Sequence, residues 1–306
     1  MKTIPQAFLS QYTTFQLGGP CEILFNCETP QELQETVKSL SAKKTKFILI
    51  GGGSNLVVSD QGIPTAVIRY VSPTPLITRQ DDDITVSAST ILDDLALYCV
   101  GEGLEGLNYT TGIPGTVGGA VVGNAGAWGR QVGDVLKSAD ILDTNGHLKQ
   151  VNQNYFGFQY RHSRLKETDE IVSSVTFHLK SADPATLAQE RADILKKRAE
   201  KHPNLNTHPC AGSFFRNIEA TSKAERRQAA GAFLEDAGGK NLKVGGAQIF
   251  EKHANIIIKG SQCTAQDVYD LHLKMIEIVK AKYSMELNRE VRFVGPFKGI
   301  KQEGFW

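Results

Sequence analysis

Leu33, Val37 and Leu40 recur at helical spacing, and the residues before them mark where that helix begins. Thr29 stands at the N-cap, Pro30 at the first helical position and Glu32 where it closes a capping box. Phe47-Ile48-Leu49-Ile50 is a short apolar run, as in a buried strand, and Val57-Val58 and Ala66-Val67-Ile68 predict two more. Ile84 to Ala88 alternates like a half-buried strand. Thr90, with Asp93 three residues on, predicts a second capped helix burying Ile91, Leu95, Tyr98 and Cys99. Asn145-Gly146 lies between strand-like runs and predicts a hairpin, and Ile171 to Lys180 alternates as another strand. Residues 14–180 therefore read as strands with few helices.

The second half changes character. Asp183-Pro184 opens a helix to about Lys201, with Leu187, Ile194 and Leu195 inward and the Arg and Lys residues outward. A helix is expected from about Ala224 to Ala237, ending at Gly238-Gly239. Ile256-Ile257-Ile258 and Val291 to Val294 predict strands. Thr264 and Asp267 cap a helix whose buried stripe is Val268, Leu271, Met275 and Val279. This half is expected to form an α+β domain of its own.

Glycine changes the picture. Gly101 to Gly133 holds 11 of the chain's 29 glycines. Such density costs entropy, so it must supply backbone at positive φ or backbone that lies flat against a ligand. Gly112 to Ala120 adds Pro114, and its remaining N–H groups could converge on a pyrophosphate as a nest. Ile113, Val117, Val121, Val122 and Trp128 interleave the glycines, which a flexible linker lacks, so a packed ligand loop is expected. A second glycine turn, Gly51-Gly52-Gly53-Ser54-Asn55-Leu56, follows the Phe47 strand. Leu56 occupies the third glycine position of a Gly-x-Gly-x-x-Gly fingerprint and no helical pattern follows, which excludes a simple Rossmann reading.

Composition narrows the partners. The 306 residues are 41% hydrophobic and 22% charged with a net charge of +1, so nothing points to nucleic acid or an anionic membrane. No apolar run approaches the ~18 residues of a membrane span, and the first residues carry no apolar signal core. Five cysteines without Cys-x-x-Cys spacing point to a reducing cytoplasm, and seven histidines without a His-Glu-x-x-His pair point to no metal. The expected assembly is a monomer or a weak oligomer.

Four groups of residues then occur in one order. They are Thr14-Phe15 with Gly18-Gly19 and Gly51 to Asn55; Gly112 to Ala120 with Asn124-Ala125-Gly126; and Tyr160-Arg161-His162-Ser163. The fourth is Ala211 to Asn217, Gly245 to Gln248, Lys252 to Asn255 and Glu290-Val291-Arg292. Together they resemble the UDP-N-acetylenolpyruvoylglucosamine reductase family over about residues 12–295. The resemblance implies an α+β fold: a two-lobed FAD-binding domain of the p-cresol methylhydroxylase/vanillyl-alcohol oxidase type, with lobes at 1–72 and 73–182. A substrate domain for the UDP-sugar follows at 183–306. The spacing from Arg161 to Ser213 matches the shorter subclass without the inserted tyrosine loop.

The same resemblance implies FAD as cofactor, NADPH as hydride donor and UDP-N-acetylglucosamine enolpyruvate as substrate. FAD contacts are expected from Gly51, Gly52, Gly53, Ser54, Asn55, Leu56, Gly112, Ile113, Gly115, Thr116, Gly118, Gly119, Asn124, Ala125 and Gly126. Arg216, Asn217, Lys252 and His253 are expected at the sugar nucleotide. Arg161 and Glu290 are expected to stabilise the enolate formed by hydride addition, and Ser213 to protonate it. Taken alone, these three read as a surface cation, an edge-strand charge and a turn serine. An FAD-dependent oxidase of the same fold, or a non-catalytic nucleotide-binding homologue, are the alternative readings. Two departures from the family pattern stand beside the site: Ile218 replaces a usual proline, and Leu287-Asn288-Arg289-Glu290 replaces Leu-Glu-Pro-Glu.

Overall fold

The computed structural model describes residues 1–219 and 227–299. Two compact units divide the chain. One comprises Met1–Gln6, Glu22–Gly52 and Thr65–Arg198; the other comprises Ala7–Cys21, Gly53–Pro64 and the chain from Ala199 onward.

The first unit contains two larger sheets, two strand pairs and the helices α1 (Pro30–Ala42), α2 (Leu92–Gly101) and α3 (Val117–Gly123), together with most of α4 (Pro184–Lys201). A four-stranded sheet runs in the order Lys2–Pro5, Cys21–Cys27, Ile63–Tyr70 and Phe47–Ile50. A five-stranded antiparallel sheet runs Leu148–Asn152, Leu136–Leu142, Ile171–His178, Asp83–Ser87 and Ile77–Gln80. Leu33, Val37 and Leu40 on α1 join Ile84, Val86, Val175 and Phe177 from the larger sheet in one core. The Thr29 half of the α1 cap forms as its sequence predicts, Thr29 Oγ1 accepting the Glu32 N–H at 3.2 Å, while the Glu32 carboxylate accepts the Glu28 N–H at 2.8 Å and pairs with the Met1 amino group. The Asn145-Gly146 hairpin also forms, tightened by Asp143, whose Oδ1 accepts the N–H groups of Asn145 and His147. Tyr70 ties strands of both sheets together, bonding Ser87 Oγ at 2.8 Å and donating to the Ser173 carbonyl at 2.9 Å.

The α2 start departs from expectation. Its N-cap is Ile91 with no side-chain cap. Thr90 Oγ1 accepts the Leu76 N–H instead, and the Asp93 carboxylate binds Arg191 of α4 through two bonds of 2.8 Å. A two-pronged guanidinium outcompetes a local cap because both ends are charged. The α4 faces are corrected by the same contact. Leu187 is buried, but Leu195 is 41% exposed, while Arg191 and Arg198 turn inward and are half-buried.

The second unit holds an antiparallel four-stranded sheet in the order Cys210–Ser213, His253–Lys259, Ala247–Phe250 and Lys243–Val244. Two further helices are α5 (Ala230–Asp236) and α6 (Ala265–Tyr283). Val268, Leu271, Met275 and Val279 are fully buried, and Thr264 and Asp267 close the α6 capping box. The helix expected from Ala224 is shorter: α5 begins at Ala230, because Gln228 is drawn into a bridge with Ile218. Ala224 itself lies outside the described residues, as do Phe305 and Trp306. The short strands Leu56–Val58 and Arg292–Val294 pair in parallel. Phe15, Val57, Phe214, Phe215, Ile256 and Met275 share this unit's core.

Candidate active site

In the first unit the two glycine turns meet. A Cβ on Gly51 would lie 2.4 Å from Thr116 Oγ1, and one on Gly52 would lie 3.1 Å from the Gly115 Cα. A side chain at Gly51 would collide with the Thr116 hydroxyl, and one at Gly52 would press on the Gly115 main chain, so this approach favours glycine at both positions. Gly112, Gly115 and Gly118 are half-exposed and Gly119 is exposed, leaving main chain without Cβ accessible from outside, and Ile113 between them is half-exposed.

The donors of this loop are fewer than a nest requires. Gly112 N–H bonds Asp93 Oδ1 at 2.7 Å and Ile113 N–H bonds the Thr110 carbonyl. Val117 and Gly118 N–H groups bond the carbonyls of Thr90 and Ala88, and Gly119 N–H bonds the Thr116 hydroxyl that caps α3. Gly115 and Thr116 N–H groups take no part in these bonds. What remains for a ligand is the Cβ-free main chain of the loop's glycines with a small number of donors, which fits an extended dinucleotide better than a single phosphate. Trp128 is not packed into the loop as its spacing suggests. It is 58% exposed, at the tip of a hairpin of Gly126–Ala127 and Arg130–Gln131, with the Arg198 guanidinium 5.4 Å from its ring.

Arg161 occupies a second turn of this unit. Gln159 and His162 exchange both main-chain bonds, at 3.0 and 3.1 Å, so Tyr160 and Arg161 are the two residues of a tight hairpin. Arg161 has φ +54°, a left-handed conformation that costs roughly 1–2 kcal/mol for a residue with a Cβ. Lys166 Nζ donates to the Arg161 carbonyl at 2.7 Å, and the guanidinium stands 5.5 Å from the Tyr160 ring. Asn124 is 1% exposed, and its side chain is committed inside the protein to Gln131, Gln159 and Gly133.

The second unit assembles residues from distant parts of the sequence around Ser213. Thr14 N–H bonds the Gly53 carbonyl at 3.2 Å, and Thr14 Oγ1 donates to the Cys210 carbonyl at 2.7 Å. Gly53 has φ +63°, and a Cβ there would lie 2.2 Å from the Tyr12 carbonyl oxygen, so the turn admits only glycine. Asn55 Nδ2 donates to the Glu290 carbonyl at 3.1 Å, and Arg292 N–H bonds the Asn55 carbonyl at 3.0 Å. Glu290 N–H bonds the carbonyl of Phe214, the residue after Ser213, at 2.8 Å. Asn255 clamps the same segment, accepting the Phe215 N–H at 2.9 Å and donating to its carbonyl at 2.8 Å. Ser213 follows a bulge at Gly212, whose φ is +76°.

The proline departures are absorbed by hydrogen bonds. Ile218 N–H bonds the Gln228 carbonyl at 2.9 Å, a bond proline could not donate. Without a proline before it, Glu290 is still held at both its N–H and its carbonyl.

The other expected site residues also belong to the second unit. Asn217 Oδ1 accepts the Ala230 N–H at the start of α5, and Arg216 Nε is buried without a hydrogen-bond partner. Lys252 is exposed in the turn between Phe250 and His253; His253 is half-buried, 5.6 Å ring to ring from His202, and burial lowers its pKa. Two cations went unassigned in the sequence. Arg292 is half-buried, its pKa lowered first by burial and then by nearby Arg216. Arg198 Nε is buried without a partner; burial lowers its pKa, Asp93 opposes this, and Arg161 adds to it. Leu187, Arg191, Ile194 and Arg198 stand at helical spacing, so two arginines on the apolar face of α4 are the signal that marks them.

The profile described as FAD binding domain matches residues 21–152, and that described as UDP-N-acetylenolpyruvoylglucosamine reductase, C-terminal domain, matches residues 202–294. The chain is 32% identical over 300 residues to the UDP-N-acetylenolpyruvoylglucosamine reductase of Alkaliphilus oremlandii, covering 96% of each chain. It is 34% identical over 287 residues to that of Carboxydothermus hydrogenoformans, covering 94% of this chain and 92% of the relative. The crystal structure of the Thermus caldophilus enzyme superposes with a TM-score of 0.76 at 30% identity, covering 95% of this chain and 98% of the other. The chain therefore belongs to the UDP-N-acetylenolpyruvoylglucosamine reductase family.

Proposed function

We propose that this chain is an FAD-dependent reductase that uses NADPH to reduce the enolpyruvyl group of UDP-N-acetylglucosamine enolpyruvate. The product is UDP-N-acetylmuramate, for peptidoglycan synthesis in the cytoplasm, and so for cell shape and division. The observation that carries the reading is the bonding around Ser213. Asn55 of a glycine turn holds the Glu290 carbonyl, and Phe214 beside Ser213 holds the Glu290 N–H. Three separated motifs are thereby joined, the Glu290 main chain being held to Asn55 and to the residue after Ser213.

Gly51 to Leu56, with Gly112, Ile113, Gly115, Thr116, Gly118, Gly119 and Asn124 to Gly126, would hold FAD, which when bound would supply hydride chemistry with NADPH as donor. The remaining steps belong to the side chains. Arg161 neutralises the substrate carboxylate as charge grows on it. Glu290 serves best in its protonated form, since an ionised carboxylate would repel that charge. Ser213 Oγ–H then donates its proton to the carbanion carbon. Arg216, Asn217, Lys252 and His253 hold the sugar nucleotide. The lobes at 1–72 and 73–182 form the FAD domain, and 183–306 forms the substrate domain.

Anaerobic half-reactions test this. The purified protein is yellow, bleaches with NADPH and recovers its colour on addition of the enolpyruvyl sugar nucleotide. In Ser213→Ala, bleaching proceeds as before and recovery slows by roughly 10²- to 10⁴-fold, the usual loss of a positioned proton donor. Unchanged turnover in Ser213→Ala would instead favour an oxidase acting on another substrate.

A further inference from the structure

The arginine turn is tied down at two points, and both ties lead to the same place. Gln159, which opens the turn, has its carbonyl bonded by Asn124 Nδ2 at 2.8 Å. Ser163, just after the turn, is fully buried, and its Oγ donates to the Val122 carbonyl at 2.8 Å. Val122 lies in the last turn of α3, and Asn124 is its C-cap at φ +43°. The first residues of α3 pack against Gly51, since Thr116 caps the helix and also meets that glycine. One short helix thus connects the Cβ-free surface to both sides of the Arg161 hairpin.

Asn124 is saturated in this role. Its second amide bond reaches Gln131 Oε1 at 2.9 Å, and its Oδ1 accepts the Gly133 N–H at 3.0 Å. Left-handed backbone at Arg161 is unfavourable by itself, so the turn persists only where its surroundings over-determine it. We propose that Asn124 and Ser163 are positioning residues that set the place of the Arg161 guanidinium in the reduction. This rests on the role given to Arg161 above. Asn124 then acts through the arginine turn with its side chain, leaving only its main chain for a cofactor.

The test uses the full-length, FAD-loaded protein with Asn124→Gly and Ser163→Ala. Glycine at 124 keeps the left-handed C-cap while removing the bonds, so backbone strain does not confound the result. Hydrogen exchange in the segment spanning residues 157–166 is expected to quicken in both variants. In Ser163→Ala, reduction by NADPH stays within about 3-fold of wild type, and in both variants reoxidation by the enolpyruvyl sugar nucleotide slows roughly 10- to 100-fold, the scale of a misplaced catalytic group. In an Arg161→Ala background neither substitution slows reoxidation further. Losses that multiply with Arg161→Ala, or equal losses in both half-reactions, overturn the proposal. Wild-type reoxidation by Arg161→Ala alone would remove the role of Arg161 itself, a distinguishable failure. If Asn124→Gly does not fold, Ser163→Ala alone decides, with the same outcomes.

Discussion

Tyr109 is 3% exposed, yet its hydroxyl has no hydrogen-bond partner, and burial is the main reason its pKa is raised. An unsatisfied buried hydroxyl costs about 1–3 kcal/mol of desolvation. Tyr109→Phe is therefore expected to leave the fold intact and to raise the urea midpoint, by roughly 1 kcal/mol of stability. A lowered midpoint would mean that the hydroxyl is satisfied in solution. Arg161 shows the opposite economy at the same scale: its left-handed φ is unfavourable, and the bonds from Lys166 and Asn124 hold it in place. The family motif names Arg161, but no local pattern indicates its backbone conformation. A non-glycine residue reaches positive φ only under constraints from elsewhere in the fold.

Among elements, α6 carries the clearest pH dependence. His272 is 4% exposed on that helix, with its ring 4.8 to 6.0 Å from those of Tyr269, Phe293 and Phe214. Burial lowers its pKa to about 4, against an opposing bond to the Tyr269 carbonyl. The unfolded imidazole titrates near 6.5. Between these values the unfolded chain binds more protons, so the stability is present in full above about 6.5 and is lost as pH falls toward 4. By pH 5 the loss from this group is about 2 kcal/mol. A His272→Phe variant should lose correspondingly less between pH 7 and pH 5 in urea melts, and a parallel loss would exclude the assignment. The helices also show how far local signals reach. At Thr29 and Thr264 the hydroxyl accepts the N–H three residues on, as the sequence predicts, although charged groups stand nearby: the Met1 amino group pairs with Glu32, and Asp60 accepts the Ala265 N–H. The cap expected at Thr90 fails because Asp93 meets Arg191, a residue far along the chain.

At the scale of the whole molecule, each unit has its own core, and the second unit is assembled from three separate segments of chain. If the Cβ-free surface binds FAD only in the folded state, the cofactor must stabilise the protein by mass action. At a hundredfold excess over its Kd this amounts to about 2.7 kcal/mol. Stripped protein should melt lower than protein with added FAD, and the melting temperature should rise with FAD concentration. A melting temperature that does not change with FAD would contradict binding at these turns.

Periodicity, capping residues and glycine placement, read from the sequence alone, located α1, α2, α4 and α6, part of α5, about half of the strands and the two glycine-rich turns, but not α3, which forms where a loop was expected. These follow from local sterics and from which face of an element avoids water. Family motifs supplied names for the acting residues. Only the tertiary structure decided that Gly51 meets Thr116, that Asn55 holds Glu290 beside Ser213, and that α3 anchors the Arg161 hairpin. Each of these contacts closes a long stretch of chain, and its formation depends on the packing of everything between its ends. Residue spacing carries no record of such closures.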